Sequence, residues 1–141
     1  MTRAGRAGAL SGIDPPTARV HHPPMLIFKI FRRSEWNAFR AAGATAGAPV
    51  DLADGFIHLS TAAQVTETAA RHFATESDLV LVAVDGERLG ADLRWEPSRG
   101  GQLFPHLYRA LTIADVMWDK SLPLGATGHI FPEGHLFERQ G

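Results

Sequence analysis

Two polar side chains on one strand, His58 and Ser60, offer the first indication of a site in this chain. They stand in the stretch 54–61, where a short apolar strand pattern runs into the start of a helix. Alternate side chains of a strand share a face, so His58 and Ser60 are predicted to lie on the same side. Ile57 and Leu59 then face the core. The pattern predicts one polar wall of a pocket.

Ser60 and Thr61 also stand at the predicted start of a helix. Free backbone N–H groups and the helix dipole favour an anion such as a carboxylate or a phosphate at this position. An alternative interpretation is structural: Thr61 caps the helix, and His58 makes a buried hydrogen bond. The sequence leaves both interpretations open.

Two further segments carry groups of the same kind. In residues 93–96, strand alternation places Arg94 and Glu96 opposite Trp95, which we expect to lie in the core. In residues 104–108, His106 and Tyr108 share a side, and both can donate and accept hydrogen bonds. A charged pair at a strand end is also typical of a solvated face. If the three segments converge, they predict a pocket for a small polar molecule.

Several better-known sites are not indicated by the spacing. His58, Glu96 and His106 lack a local metal-ligand spacing such as His-x-x-x-His, so we expect no metal site. The Gly-x-Ser-x-Gly turn of many hydrolases is absent from the sequence, as are the Gly-x-Gly-x-x-Gly and Walker phosphate loops. These absences exclude particular motifs and not all nucleotide binding.

Composition sets the wider limits. A chain of 141 residues with 45% hydrophobic residues has the size of one domain with one core. The formal charge of −1 and scattered basic residues do not indicate nucleic acid. The chain has no cysteine and no apolar run near the roughly 20 residues that span a bilayer. We expect a soluble, cytoplasmic protein without a membrane partner; the oligomeric state stays open.

The elements that position these groups follow from apolar patterning. Strands are predicted near residues 25–30, 56–59, 79–84, 93–96 and 116–118, with the third of these central and buried on both faces. One helix is predicted from a Ser34 cap to Ala42, stopped by Gly43, with Trp36 and Phe39 in the core.

A second helix is predicted from a capping box of Thr61 and Gln64 to about residue 74, with Glu67 and Arg71 paired on its exposed side. Residues 43–54 and 98–102 are interpreted as turns or loops. Residues 1–24 form a Gly-, Ala-, Arg- and Pro-rich tail, and a Gly- and Pro-rich tail begins at residue 125. The prediction is one α+β domain over residues 25–141, with a mixed or split sheet of four to six strands and two main helices.

Three segments together resemble a known family. Asp-Gly-Phe-Ile-His-Leu-Ser-Thr at 54–61, Leu-Arg-Trp-Glu at 93–96 and Phe-Pro-His-Leu-Tyr at 104–108 are similar to signature segments of a small bacterial family, domain of unknown function number 952. The resemblance covers roughly residues 26–123. The family carries no established activity.

A more distant resemblance is to the ADP-ribosyltransferase-like fold, a split sheet that grips NAD. It implies that Lys29 takes the first-strand position, where that fold has His or Arg. His58, with Ser60 and Thr61, takes the second position. The third belongs to Glu96 or to the segment of His106. The implied cofactor is NAD, although fold analogy alone does not deliver function.

The same resemblance implies a division of roles in ribosyl transfer. Ser60 and Thr61 would hold a phosphate or the nicotinamide amide, and His58 would bond a ribose hydroxyl. Glu96 would stabilise the positive charge that develops on the ribose as nicotinamide leaves. The candidate catalytic residues are Glu96 and His106, and the candidate ligand-binding residues are Lys29, His58, Ser60, Thr61, Arg94 and Tyr108.

Two other classes of function fit the same residues. A non-catalytic module would capture a small polar metabolite or a peptide terminus in the same pocket. A structural partner protein would carry the polar clusters on its surface without any ligand. Whether the chain is an enzyme stays open.

Overall fold

The computed structural model describes residues 25–132. The predicted tail at 1–24 and residues 133–141 lie outside the described residues. The helices are α1 (Arg33–Ala42), α2 (Pro49–Asp54), α3 (Ala62–His72) and α4 (Gly86–Leu89). The strands are β1 (Leu26–Arg32), β2 (Ala44–Thr45), β3 (Ile57–His58), β4 (Leu79–Asp85), β5 (Leu93–Pro97), β6 (Leu103–Leu107), β7 (Leu111–Thr112), β8 (Val116–Leu122), β9 (Leu124–Gly125) and β10 (Gly128–His129). The predicted α+β class is confirmed.

The first sheet has the order β1-β4-β8, with antiparallel pairing on both sides of β4. The strand predicted to be central, residues 79–84, is buried throughout, as expected for a run of apolar, β-branched residues covered on both faces. Alternating side chains of these strands lie on opposite faces of the sheet and belong to two hydrophobic clusters. Ile27 and Val82 belong to the cluster on one face, and Phe28 and Leu81 to the cluster on the other.

The second sheet has the order β3-β6-β5 and is also antiparallel. It joins the first through a bridge between Phe28 of β1 and Ser60, just after β3. The two N–H···O bonds of this bridge measure 2.7 and 2.9 Å. The sheet is thus split into two three-stranded parts that meet at Ser60. Two short ribbons, β2-β7 and β9-β10, complete the strand pairing of residues 25–132.

The main helices cover the first sheet on opposite sides. Trp36 and Phe39 of α1 are buried in one cluster, and Val65 and Ala69 of α3 in the other. Gly43 ends α1 in the left-handed conformation at φ 84°, as predicted. No helix among the described residues is long and apolar enough to cross a membrane.

Two predictions of local structure are confirmed on α3, the capping box and the pair of Glu67 and Arg71. The side chain of Gln64 accepts a hydrogen bond from the Thr61 N–H at 3.0 Å, which is the expected reciprocal part of the capping box. Gln64 also donates to the Leu103 carbonyl at 2.8 Å and so ties α3 to β6. Glu67 and Arg71 form the predicted pair at 3.0 Å.

Residues 43–54 were predicted as turns, and this prediction is wrong for its second half. Pro49 stands at the start of α2, where its missing N–H costs nothing and its fixed φ suits a helix. Asp51 accepts a hydrogen bond from the Ala48 N–H at 2.8 Å, and Gly55 ends the helix at φ 87°. Helix α2 is too short to show an apolar period, which is why the pattern missed it.

Three other details differ from prediction. Helix α1 begins one residue earlier than Ser34 and after Arg32, whose N–H donates to the Glu35 carboxylate at 2.9 Å. Trp95 is 39% exposed because β5 is an edge strand; its neighbour on the same face, Leu93, packs on the core instead. The tail predicted from residue 125 contains the ribbon β9-β10.

Candidate functional site

A cavity of about 360 Å³ opens where the two sheets meet. Both bridge residues, Phe28 and Ser60, line it, together with residues of α2, α3, β6 and the turn that precedes β6. Its volume lies at the lower end of the range of about 300–1,000 Å³ that is usual for small-ligand sites. The cavity therefore has room for a small molecule or for part of a larger one.

Four of the eight predicted site residues line this cavity: Lys29, His58, Ser60 and His106. They come from β1, β3, the segment after β3, and β6, and strand pairing brings them together. His58 is the register partner of His106, and the two rings lie 5.4 Å apart. Residues nearly 80 positions apart in the sequence thus share one polar wall.

Asp51 of α2 organises the first polar group, which we call the Asp51 cluster: Lys29, Asp51, Asp54 and His58. The carboxylate of Asp51 is buried and receives the Lys29 ammonium at 3.0 Å. It also accepts the backbone N–H of His58 at 3.0 Å and the ring Nδ1 of His58 at 2.5 Å. The ammonium of Lys29 reaches the His58 carbonyl as well, at 3.3 Å.

The charge of Asp51 is fixed by these partners. Burial raises the pKa of its carboxyl group, but the hydrogen bond from His58 and the ammonium of Lys29 outweigh burial and lower the pKa to about 2. Gly47 closes over this carboxylate at φ 107°, and a Cβ there would lie 2.4 Å from Oδ2. A glycine is needed at position 47 because no side chain fits between the backbone and Asp51.

Both ring nitrogens of His58 face carboxylates. Nδ1 meets Asp51, and Nε2 lies 3.0 Å from Oδ2 of Asp54, an exposed residue at the end of α2. The imidazole therefore holds α2 against β3. Its hydrogen-bonding capacity is used inside the protein, which favours a positioning role for His58.

A second polar group lies across the wall from the first, and we call it the Glu96 cluster: Glu96, His106 and Tyr108. One oxygen of Glu96 accepts from His106 Nδ1 at 2.7 Å and from the Tyr108 hydroxyl at 2.8 Å. The hydrogen bond from His106 lowers the pKa of Glu96, and the bond to Glu96 raises the pKa of Tyr108. Glu96 is thus held as a carboxylate that orients the buried imidazole of His106.

His106 differs from His58 in one respect that matters for chemistry. Its Nδ1 is engaged by Glu96, and within residues 25–132 no protein group bonds its Nε2. The ring stacks on Phe56 at 4.2 Å between centroids and is almost fully buried. A fixed imidazole with one nitrogen available at a cavity is suited to donate to a ligand or to accept a proton from it.

The other predicted residues lie near this wall without lining the cavity. Thr61 stands at the start of α3, in agreement with the structural interpretation of that residue. Arg94 lies over the ring of Tyr108 at 4.7 Å. Glu96 reaches the cavity through His106, and Tyr108 lines a separate groove behind it.

Three residues of the site were missed from the sequence. Asp51 was hidden in a stretch interpreted as a turn, and Thr68 in a helix assigned to the core. Arg99 was hidden in a Gly-rich loop. In the structure this loop forms a turn over Arg99–Gly101, with Gly100 and Gly101 at φ 67° and 81°. A Thr one turn of helix from a Gln, or an Arg before two glycines, carries no distinguishing signal.

Charge along the cavity is unevenly compensated. Within the described residues, three permanent cations line it, Lys29, Arg32 and Arg99, together with two carboxylates, Glu35 and Asp51. Asp51 neutralises Lys29, and Glu35 lies 3.3 Å from Arg32. The nearest carboxylate to Arg99 is 3.9 Å away and exposed. The cavity therefore favours an anionic ligand, and the described residues form no cluster of three or more potential metal ligands.

The comparisons with known proteins agree with this fold. The family model described as "Protein of unknown function (DUF952)" matches residues 30–119. A crystal structure of protein CC0527 from Caulobacter crescentus is 54% identical, with a TM-score of 0.71, and the match covers 74% of this chain and 91% of that chain. A solution NMR structure of CC0527 is 53% identical, with a TM-score of 0.68, over 74% and 90% of the two chains. Among curated proteins, no match is found. The chain belongs to the DUF952 family, as the signature segments predicted.

Proposed function

We propose that this member of the DUF952 family binds a small anionic ligand of the nucleotide type, with NAD and ADP-ribose as the candidates. The observation that carries the proposal is the convergence of Lys29, His58, Ser60 and His106 on one cavity whose charge favours an anion. Chance placement of polar strand ends would scatter these groups over the surface. Their meeting at one cavity supports a site.

The lining also offers apolar surface for a flat ring. Phe28, Phe73 and Phe104 line the cavity together with Val65 and Leu59. Aromatic and aliphatic walls with a few fixed polar groups are the usual composition of nucleotide-sized pockets. Because the volume is at the small end of the range, we propose that the cavity encloses one half of a dinucleotide.

The binding proposal is tested by isothermal titration of the purified protein with NAD, ADP-ribose and adenosine. We expect saturable heat with ADP-ribose and weaker heat with adenosine, because adenosine lacks the phosphates. No heat from either nucleotide at millimolar concentration would refute the proposal. Arg71→Gln, which alters an exposed charge on α3, is a matched control that should bind like the wild type.

Ribosyl transfer is the finer form of this proposal. In it, the C1′–N bond of NAD breaks, nicotinamide leaves with the bonding electrons, and the oxygen of an acceptor hydroxyl or water bonds to C1′. His106 Nε2 takes the acceptor proton, and Glu96 holds the imidazole through Nδ1. Support comes from His106, which lines the cavity and whose Nε2 bonds no described residue, and from the ionised Glu96 behind it.

A non-catalytic binding module is the second candidate, and one observation favours it. Within the described residues, both carboxylates that line the cavity are ion-paired, so neither is free to stabilise a positive ribose. Chromatography of NAD after prolonged incubation separates the two candidates. Released nicotinamide that disappears in His106→Gln supports transfer, whereas bound and unchanged NAD supports the binding module.

A further inference from the structure

We propose that Arg99, together with the hydroxyl groups of Ser60 and Thr68, forms a subsite for a phosphate group in the cavity. The inference rests on the proposed function in that the ligand is taken to enter this same cavity. It names the part of the ligand that the residues nearest α3 recognise. None of the predictions from the sequence pointed to Arg99 or Thr68.

Three donor groups from separate segments meet at this end of the cavity. Arg99 Nη2 donates to the Thr68 hydroxyl at 3.3 Å, and the Ser60 hydroxyl lies 3.1 Å from the same oxygen. All three residues line the cavity. The Thr68 hydroxyl donates to the Gln64 carbonyl at 3.2 Å. Because hydroxyl groups rotate, Thr68 can exchange this bond for one to an arriving oxyanion, and Ser60 can turn its O–H bond the same way.

The guanidinium of Arg99 is held in place without being neutralised. Its Cζ atom lies over the ring of Phe104, 4.8 Å from the centroid, and the side chain is 19% exposed. Among residues 25–132 the nearest carboxylate is that of Glu67, 3.9 Å away, and it pairs more closely with Arg71, at 3.0 Å. An exposed pair at that distance contributes little, so much of the charge of Arg99 remains available to a ligand.

Arg32, the other guanidinium at the cavity, is already saturated. Two of its nitrogens bond both oxygens of Glu76 at 2.8 and 2.9 Å, and a third bonds Glu35 at 3.3 Å. Lys29 is matched by the buried Asp51. Among the cavity cations, Arg99 therefore has the greatest capacity to bind an anion.

The arrangement fits a phosphate better than a carboxylate. A guanidinium and two hydroxyl groups can bond three oxygens of a tetrahedral group, whereas a planar carboxylate offers two. Arg is also the residue that recognises phosphate in a bidentate manner. The ligand class is accordingly a phosphate ester or a pyrophosphate, such as the diphosphate of ADP-ribose.

The test compares wild type, Arg99→Gln and Arg71→Gln by titration with pyrophosphate, acetate and ADP-ribose at one ionic strength. We expect Arg99→Gln to weaken the binding of pyrophosphate and of ADP-ribose by about 10- to 100-fold, because a charge-assisted contact is lost. Arg71→Gln also removes a partner of Glu67, but Arg71 does not line the cavity. The affinity of this variant for each probe should therefore stay within about twofold of the wild type.

The outcomes separate this inference from the proposed function. Tight ADP-ribose binding that Arg99→Gln leaves unchanged overturns the subsite while the nucleotide function stands. Pyrophosphate binding that depends on Arg99, without ADP-ribose binding, upholds the subsite and overturns the nucleotide function. Acetate that binds as well as pyrophosphate overturns the phosphate assignment, and absence of binding by every probe overturns both.

Discussion

The Asp51 cluster and the Glu96 cluster contain the same kinds of group and use them in opposite ways. Each pairs a carboxylate with the Nδ1 of a histidine on adjacent strands of one sheet. In the Asp51 cluster, the second nitrogen of His58 meets another carboxylate, and Lys29 closes the remaining side. In the Glu96 cluster, His106 lines the cavity and its second nitrogen bonds no group within the described part of the chain.

This difference indicates which cluster holds the fold and which one meets the ligand. A buried carboxylate with four partners makes α2, β1 and β3 depend on one another, so its loss is expected to reduce stability. A half-exposed carboxylate that orients one imidazole adds little to the fold, so its loss is expected to reduce binding.

Asp51→Asn is expected to lower the free energy of unfolding by about 3–5 kcal/mol, because it leaves the ammonium of Lys29 buried without a counterion. Denaturant unfolding followed by circular dichroism measures this loss. Asp54→Asn is the matched control: Asp54 is exposed and contacts the same histidine, so the cost should stay below about 1 kcal/mol.

A second variant shows whether the cost comes from the unpaired charge. Adding Lys29→Met to Asp51→Asn removes the stranded ammonium and should recover part of the lost stability. If the double variant is no more stable than Asp51→Asn, the packing of α2 and not the charge accounts for the loss. An Asp51→Asn protein as stable as the wild type would show that the Asp51 cluster does not stabilise the fold.

Low pH should reduce the free energy of unfolding through protonation of Asp51. The pKa of Asp51 is lowered from an ordinary value of 3.8 to about 2, so its contribution is complete above pH 3.8 and disappears as the pH falls through about 2. The difference between these two pKa values corresponds to about 2–3 kcal/mol, at about 1.4 kcal/mol per pKa unit. Because other carboxylates such as Glu96 titrate over the same interval, the loss between unfolding curves at pH 5 and pH 2 should be larger in the wild type than in Asp51→Asn by about this amount.

Glu96→Leu is expected to weaken ADP-ribose binding by about threefold to tenfold, the value of one oriented hydrogen bond, because His106 loses the partner of its Nδ1. Titration calorimetry gives the affinity. The melting temperature should change far less than in Asp51→Asn, and an equally large drop would show that both clusters are structural.

Tyr108→Phe should have the smallest effect. It removes the hydroxyl bond to Glu96 but leaves the ring on Phe56 and the bond between Glu96 and His106. We expect ADP-ribose affinity within about threefold of the wild type. Affinity that falls as far as in Glu96→Leu would mean that Tyr108 orients the carboxylate and is as important for binding as Glu96.

The elements that carry strong apolar periods could be predicted from the sequence. β4 is recognisable as a buried central strand. Helix α1 is recognisable by its end at Gly43 and its core-facing aromatic residues, and α3 by its capping box and its core-facing aliphatic residues. Helix α2 could not be, because six residues with one buried side chain, Asp51, show no apolar face. A buried aspartate has no sequence signature, since its partners Lys29 and His58 lie 22 and 7 positions away.

The candidate site could be predicted only on its strand side. His58, Ser60 and His106 were found because strand alternation gives each a direction, and strand pairing then brings them together. Arg99 and Thr68 come from a turn and from a helix, where contact with the cavity depends on how those elements pack. The prediction that Trp95 lies in the core was wrong for a related reason. Strand alternation shows which face of the sheet a side chain lies on, but not how far along that face the core extends.

The most direct test of ligand binding in the cavity is nuclear magnetic resonance of the labelled full chain during titration with ADP-ribose. We predict saturable shifts confined to the cavity, strongest for the backbone of Ser60 and Thr68, for the ring of His106 and for the side chain of Arg99. The Asp51 backbone should move less, because its partners are internal. An absence of shifts at millimolar ADP-ribose, or shifts confined to a face remote from the cavity, would contradict the proposal that the cavity binds this ligand.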